Sequence, residues 1–192
     1  MTQLTLAWNH RWPSCRPVGY ELRNCARESW VRFHSLPEAK RYADNEVERT
    51  QLLRRHNVVL QELASAVAEP SELLVLTYSW SSSREVTLRD DVAQFNAPDA
   101  VHWKSVLLDA DADGERWTHV HVSQVAWHLG ALDELLLSVA DDVTWADIAP
   151  ADFEWVYHPY DGGADVVSTS TSTVSALRSK YRDWLSPHDH GL

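Results

Sequence analysis

Polar and apolar positions change period several times along the chain, and each period predicts an element. From Ser29, Val31, Phe33 and Ser35 alternate with Trp30, Arg32 and His34, the two-residue repeat of a strand that ends at Leu36-Pro37. Three- and four-residue steps follow through Ala39, Tyr42/Ala43, Val47, Leu53, Leu60 and Leu63/Ala64. They predict a long helix opened by Pro37-Glu38 and stopped at Glu69-Pro70, with Thr50 and His56/Asn57 interrupting its stripe. His56 reads as a hydrogen-bonded boundary residue. The unbroken apolar run Leu73 to Trp80 is too short for most helices and reads as a buried central strand.

Val101–Leu108 and Trp117–Ala126 predict two further strands, joined through Asp109–Glu115 as a hairpin. Ala131–Val139 carries Leu132, Leu135, Leu136 and Val139 at helical spacing. Phe153–Tyr160 and Ala164–Ser168 predict a last hairpin around Asp161-Gly162-Gly163, where glycine tolerates positive φ. The polar run Ser168 to Thr173 reads as a strand end and a helix cap, and a final helix spans about Ser172–Leu185, closed by Pro187. Residues 1–27 show no sustained period and read as an irregular lead-in that drapes over the core through Trp8 and Trp12. Together these predict a single α+β domain over 28–192: a mixed, largely antiparallel sheet with a long N-terminal helix and a C-terminal helix. Regular strand–helix alternation and a Gly-rich phosphate loop are both missing, which excludes a doubly wound nucleotide-binding fold.

Composition supports a well-filled core: 44% of the 192 residues are hydrophobic, with 10 Trp, 6 Tyr and 3 Phe. Charge is lopsided. Residues 1–70 hold 10 Lys/Arg and 8 Asp/Glu, a balance of +2; residues 71–192 hold 7 and 20, a balance of −13. Such a field repels nucleic-acid phosphates and anionic lipid surfaces and favours a cationic protein partner or a metal ion; an acidic surface that serves solubility alone is the other reading. Two cysteines, Cys15 and Cys25, are too few for a secreted disulfide framework. With no signal-peptide pattern and no apolar stretch near 18 residues, the expectation is a cytoplasmic protein with both thiols free.

Trp30-Val-Arg-Phe-His-Ser-Leu-Pro37, leading into Lys40-Arg41-Tyr42-Ala43, and His158-Pro-Tyr-Asp-Gly-Gly-Ala-Asp-Val-Val167, leading into Lys180-Tyr181-Arg182-Asp183-Trp184-Leu185, resemble an uncharacterised bacterial domain family. That family carries a Tyr-Asp-Asp-Arg-Gly-x-Asp-Val-Ile turn, a helix ending in Tyr-x-x-Trp-Leu and an acidic tail. The match is closest over 153–190. Asp161-Gly162-Gly163 departs from it, lacking the second aspartate and the arginine. The resemblance implies an interaction protein, such as the immunity partner of a toxin, and names no catalytic residue.

Several clusters carry candidate chemistry. Asp109, Asp111 and Asp113 alternate before Gly114, the opening of a Ca²⁺ loop, but the twelfth position is Val120 where such a loop needs a bidentate Glu; the segment is either a cation site or a solvated acidic turn. His119 and His121 share one strand face, and His102 on the preceding strand would complete a three-imidazole Zn²⁺ site if the register placed it opposite. No Gly-x-Ser-x-Gly elbow presents a serine, and Asp90-Asp91 and Asp141-Asp142 suit turns or caps. Trp117 and Trp155, beside Asp113, Glu115, Asp152 and Glu154, are expected to frame an acidic, aromatic patch suited to Lys or Arg. Tyr160, Asp161 and Asp165 of the matching turn join them as binding candidates. The expected function is a cytoplasmic bacterial binding protein, an immunity-type inhibitor with an acidic face for a basic protein, binding neither nucleic acid nor membrane. The alternative is a metal-dependent hydrolase built on His102, His119 and His121.

Overall fold

The structure is a computed structural model that describes residues 2–66, 71–111 and 114–185. Its elements in chain order are α1 (Gln3–Arg11), α2 (Gly19–Cys25), β1 (Trp30–His34), α3 (Glu46–Ala66), β2 (Glu72–Ser81), α4 (Asp91–Asn96), β3 (Val101–Asp111), β4 (Gly114–Ala126), α5 (Asp133–Ala140), β5 (Ala146–Ala149), β6 (Trp155–Tyr160), β7 (Gly163–Ser168) and α6 (Thr171–Lys180). The seven strands form one sheet in the order β1-β7-β6-β5-β2-β4-β3, and every pairing is antiparallel. The fold is α+β, as the periods predict.

Alternation along β2 explains its unbroken apolar run. Leu73 and Val75 face a core shared with α3, α5 and α6, which includes Leu60, Leu63, Leu136, Tyr157 and Val174. Leu74, Leu76 and Tyr78 face a second core with Trp8, Trp12, Leu22, Phe153 and Val156. A strand covered on both faces has no solvent side to keep polar.

The second core is where the lead-in differs from expectation. Residues 2–27 are mostly helical: Thr2 caps α1 by accepting the Thr5 N–H at 3.3 Å, and α2 follows. Trp8 and Trp12 are buried, donating their indole N–H groups to the carbonyls of Cys15 (2.9 Å) and Phe153 (2.8 Å). Each helix has too few apolar residues to show a period, because one or two large side chains do the anchoring. Cys15 and Cys25 are not free thiols: they are disulfide-bonded across a Cα separation of 5.9 Å and bracket α2.

The long helix also starts later than predicted. Pro37–Ala39 is a single 3₁₀ turn with Glu38 and Ala39 in left-handed conformation, both at φ 56°. The helix begins at a cap the hydrophobic stripe conceals. Asn45 Oδ1 accepts the N–H groups of Val47 and Glu48 at 3.1 Å, and Glu48 reaches back to the N–H of Asp44, the residue before the cap, at 2.7 Å, so the two side chains close the helix start reciprocally. Two short elements, α4 and β5, were not predicted. Asp90 caps α4 by accepting the Ala93 N–H at 2.6 Å, the capping role expected of that acidic pair, and Ser170 caps α6 in the same way.

The β6–β7 turn needs glycine for a different reason from the one expected. Neither Gly162 nor Gly163 has positive φ. Gly163 pairs with His34 on β1, and a Cβ there would run into the Phe33 carbonyl.

Candidate functional site

Two adjoining cavities share Tyr20 of α2 and Trp145, the residue before β5. The first is an open groove of about 890 Å³ lined by Tyr20, Trp80, Trp117 and Trp145, with Asp111, Glu115 and Arg116 of the β3–β4 hairpin on its rim. Trp80 is 45% and Trp145 42% exposed, and they meet edge to face at 5.5 Å; Tyr20 also meets Trp145 edge to face, at 6.1 Å. Trp117 donates its indole N–H to Glu115 at 2.7 Å. That contact orients the carboxylate and leaves its charge in place. Trp155, the other tryptophan expected here, is 1% exposed and belongs to the core beneath the sheet. β6 is a central strand, so its alternate residues have no open face.

The second cavity, about 350 Å³, gathers Arg23, Arg32, Arg41, His158, Tyr160, Asp142, Asp161 and Asp165. Tyr160, Asp161 and Asp165 therefore do come together, but not as free acid. Asp165, 1% exposed, takes Arg32 through two bonds of 2.7 and 2.9 Å. Asp161 pairs with Arg41 and accepts the Tyr42 hydroxyl at 2.9 Å. The Arg32 guanidinium lies over the rings of Trp30 and Tyr160 at 5.4 and 5.0 Å. Burial pushes the Tyr160 hydroxyl above an ordinary phenol, with Arg32 and Arg23 pulling it back, so it remains a neutral donor.

Behind this cavity lies a buried network that the sequence reading missed. Asp147 of β5 accepts His158 Nδ1–H at 2.6 Å and the Tyr78 hydroxyl. Desolvation first, then the Asp147 charge, raises Tyr78 well above an ordinary phenol. Gly19 packs so close that a Cβ would overlap Asp147 and His158. The available signal was a lone aspartate within the apolar Ala146–Ala149 segment, a polar group that burial obliges to find a partner.

The metal candidates fare differently. Register does set His102 opposite His121, with ring centroids 5.5 Å apart, and His119 lies 6.2 Å from His102. Both ring nitrogens of His119 are engaged, Nδ1 by Ser105 at 2.8 Å and Nε2 by Ser81 at 2.9 Å, and His102 Nε2 meets Ser105 at 3.0 Å. Burial, with Arg89 and His102 nearby, pushes His121 down to about 4. Among the described residues no group of three or more His, Cys, Asp or Glu has the arrangement of a metal site. Ser105 bridges His102 to His119 and Ser81 extends that hydrogen-bond chain on the β3–β4 sheet face, while the buried Nδ1 of His121 has no hydrogen-bond partner among the described residues. Asp109 pairs with Arg116 at 2.8 Å across the β3–β4 register, and Asp113 lies outside the described residues.

The fold and these cavities define an α+β protein with a two-face-covered antiparallel sheet and a joined aromatic and arginine-rich cleft. The chain belongs to the family described as "Domain of unknown function (DUF3885)", whose model matches residues 18–189. No curated protein and no solved structure matches it. No helix among the described residues is long and apolar enough to cross a membrane.

Proposed function

We propose that this is a bacterial binding protein that takes a Lys- or Arg-bearing segment of a protein partner into the groove of Tyr20, Trp80, Trp117 and Trp145. The observation that carries the reading is the pair of half-exposed, mutually packed tryptophans in a concave groove with Glu115 on its rim. Large rigid rings bury much area at little entropic cost, and a carboxylate beside them suits a guanidinium or ammonium. The charge argument narrows to this rim, because Asp109, Asp161 and Asp165 are already paired with Arg116, Arg41 and Arg32. Occlusion of a cationic toxin, in the manner of an immunity protein, is the activity this surface suits. The overall negative field adds fast, salt-sensitive capture. The reading places the protein in the cytoplasm; the Cys15–Cys25 bridge is the observation that weighs against that compartment.

The test is tryptophan fluorescence titration with an arginine-rich octapeptide and its glutamate-rich counterpart at low and high salt. Saturable binding of the cationic peptide alone is expected, weakened about tenfold by Trp145→Ala and by Glu115→Lys. Equal response to both peptides, or no effect of either substitution, overturns the reading.

A further inference from the structure

The arginine-rich cavity beside the groove has an unmatched set of hydrogen-bonding groups. Its lining holds three arginines and three aspartates, so net charge does not decide what it binds. What decides is which groups are already engaged. Asp165 is filled by the two-pronged Arg32, and Asp161 by Arg41 and Tyr42. Asp142, at the exposed rim, is the remaining carboxylate.

The donors are less fully used. Arg23 has no hydrogen bond or ion pair among the described residues, although it stands close enough to Tyr160 to act on its ionisation. The Tyr160 and Tyr20 hydroxyls have no hydrogen-bond partner there either, and Arg32 spends Nε and Nη2 on Asp165, leaving Nη1. His158 gives Nδ1–H to Asp147 and keeps Nε2 unclaimed. Because Asp147 is buried and Gly19 lets the backbone press against the pair, the imidazole is held in one orientation at the cavity wall. Donors from α2, β1 and β6 thus surround one volume, with the rings of Tyr20, Trp145 and Tyr160 beside it.

We infer that this cavity is a binding site for the phosphate group of a small phosphate monoester, with Arg23 as its principal ligand and Tyr160 and the free Nη1 of Arg32 as supporting donors. A phosphate offers several acceptor oxygens to match several donors, and a guanidinium fork fits two of them. The aromatic walls suit a ring attached to that phosphate. The site shares Tyr20 and Trp145 with the partner groove proposed above, but its phosphate ligands Arg23, Arg32 and Tyr160 line this cavity and not the groove.

Calorimetric titration of the whole protein with inorganic phosphate, phenyl phosphate and benzoate tests this. Phenyl phosphate is expected to bind, and to bind more tightly than inorganic phosphate if the source is a monoester; equal affinity identifies the free anion as the source. Arg23→Ala should weaken phenyl phosphate binding about 10- to 100-fold, the range for a charged hydrogen bond, while leaving the unliganded Tm unchanged because Arg23 holds nothing in the fold. Tyr160→Phe should weaken it about 5-fold, and Asp142→Asn should tighten it. Absence of binding by either phosphate at 10 mM (about the weakest affinity of interest), equal binding of benzoate, or undiminished binding in Arg23→Ala each overturns the assignment.

Discussion

Acidification should remove stability through one buried side chain in particular. His56 of α3 is 2% exposed and spans two neutral partners, Ser35 Oγ at 2.9 Å from Nε2 and the Tyr157 hydroxyl at 2.6 Å from Nδ1. No carboxylate is among its hydrogen-bond partners, so burial penalises the imidazolium and pushes the group from 6.5 down to about 4. Between those values the unfolded chain binds a proton that the folded chain refuses. Stability from this source is therefore complete above pH 6.5, declines as pH falls through the window, and levels off below about pH 4. At 1.36 kcal/mol per tenfold change in proton affinity, lowering the group from 6.5 to about 4 amounts to roughly 3 kcal/mol, a large part of the ~5–15 kcal/mol of an ordinary domain.

Urea unfolding of the wild type and His56→Gln, followed by tryptophan fluorescence from pH 7.5 to 4, isolates the effect, since acid titration of the carboxylates is common to both. His121, also pushed to about 4, keeps its own slope in both proteins. The variant should be less stable at pH 7.5, having lost a packed ring and its bonds, yet should lose about 3 kcal/mol less on acidification. Parallel stability curves would refute the assignment of His56 as a buried neutral imidazole.

Other substitutions probe the walls of the cleft. Gly19→Ala places a methyl group against Asp147 and His158 and should cost about 1–3 kcal/mol of unfolding free energy by urea titration. Asp165→Ala strands the largely buried Arg32 guanidinium and should cost about 3–5 kcal/mol, whereas adding Arg32→Met should recover most of it; a double variant as unstable as the single would contradict the ion-pair account. Reduction of Cys15–Cys25, which closes a loop of sequence separation 10, should lower stability by about 2–3 kcal/mol, read as a Tm drop with and without reductant.

Legibility in the sequence followed the strength of local signals. β1, β2, the β3–β4 hairpin, the β6–β7 hairpin, α5 and α6 were readable because each has a period or a turn marked by its own residues. α1, α2, α4 and β5 were not. They are four to nine residues long, and their stability comes from contacts such as Trp12 on Phe153, far away in the chain. Of the site, Trp117 and the Tyr160–Asp161–Asp165 turn were marked as binding candidates and do line the cleft, while Trp155 was misplaced because its strand is central. Arg23, Trp80, Trp145 and the Asp147–His158 pair were missed.

The amino-acid order by itself determined the α+β class, the strands whose period is local, and the excess of acid beyond residue 70, since each depends only on neighbours along the chain. Tertiary structure alone decided what that acid does. Sheet registry sets Asp165 beside Arg32 and Asp147 beside His158, and the segment before α3 carries Arg41 to Asp161, contacts that only the folded chain brings within hydrogen-bond reach. A charge counted along the chain keeps its sign, but its availability depends on the desolvated partner beside it, and that partner is chosen by the fold.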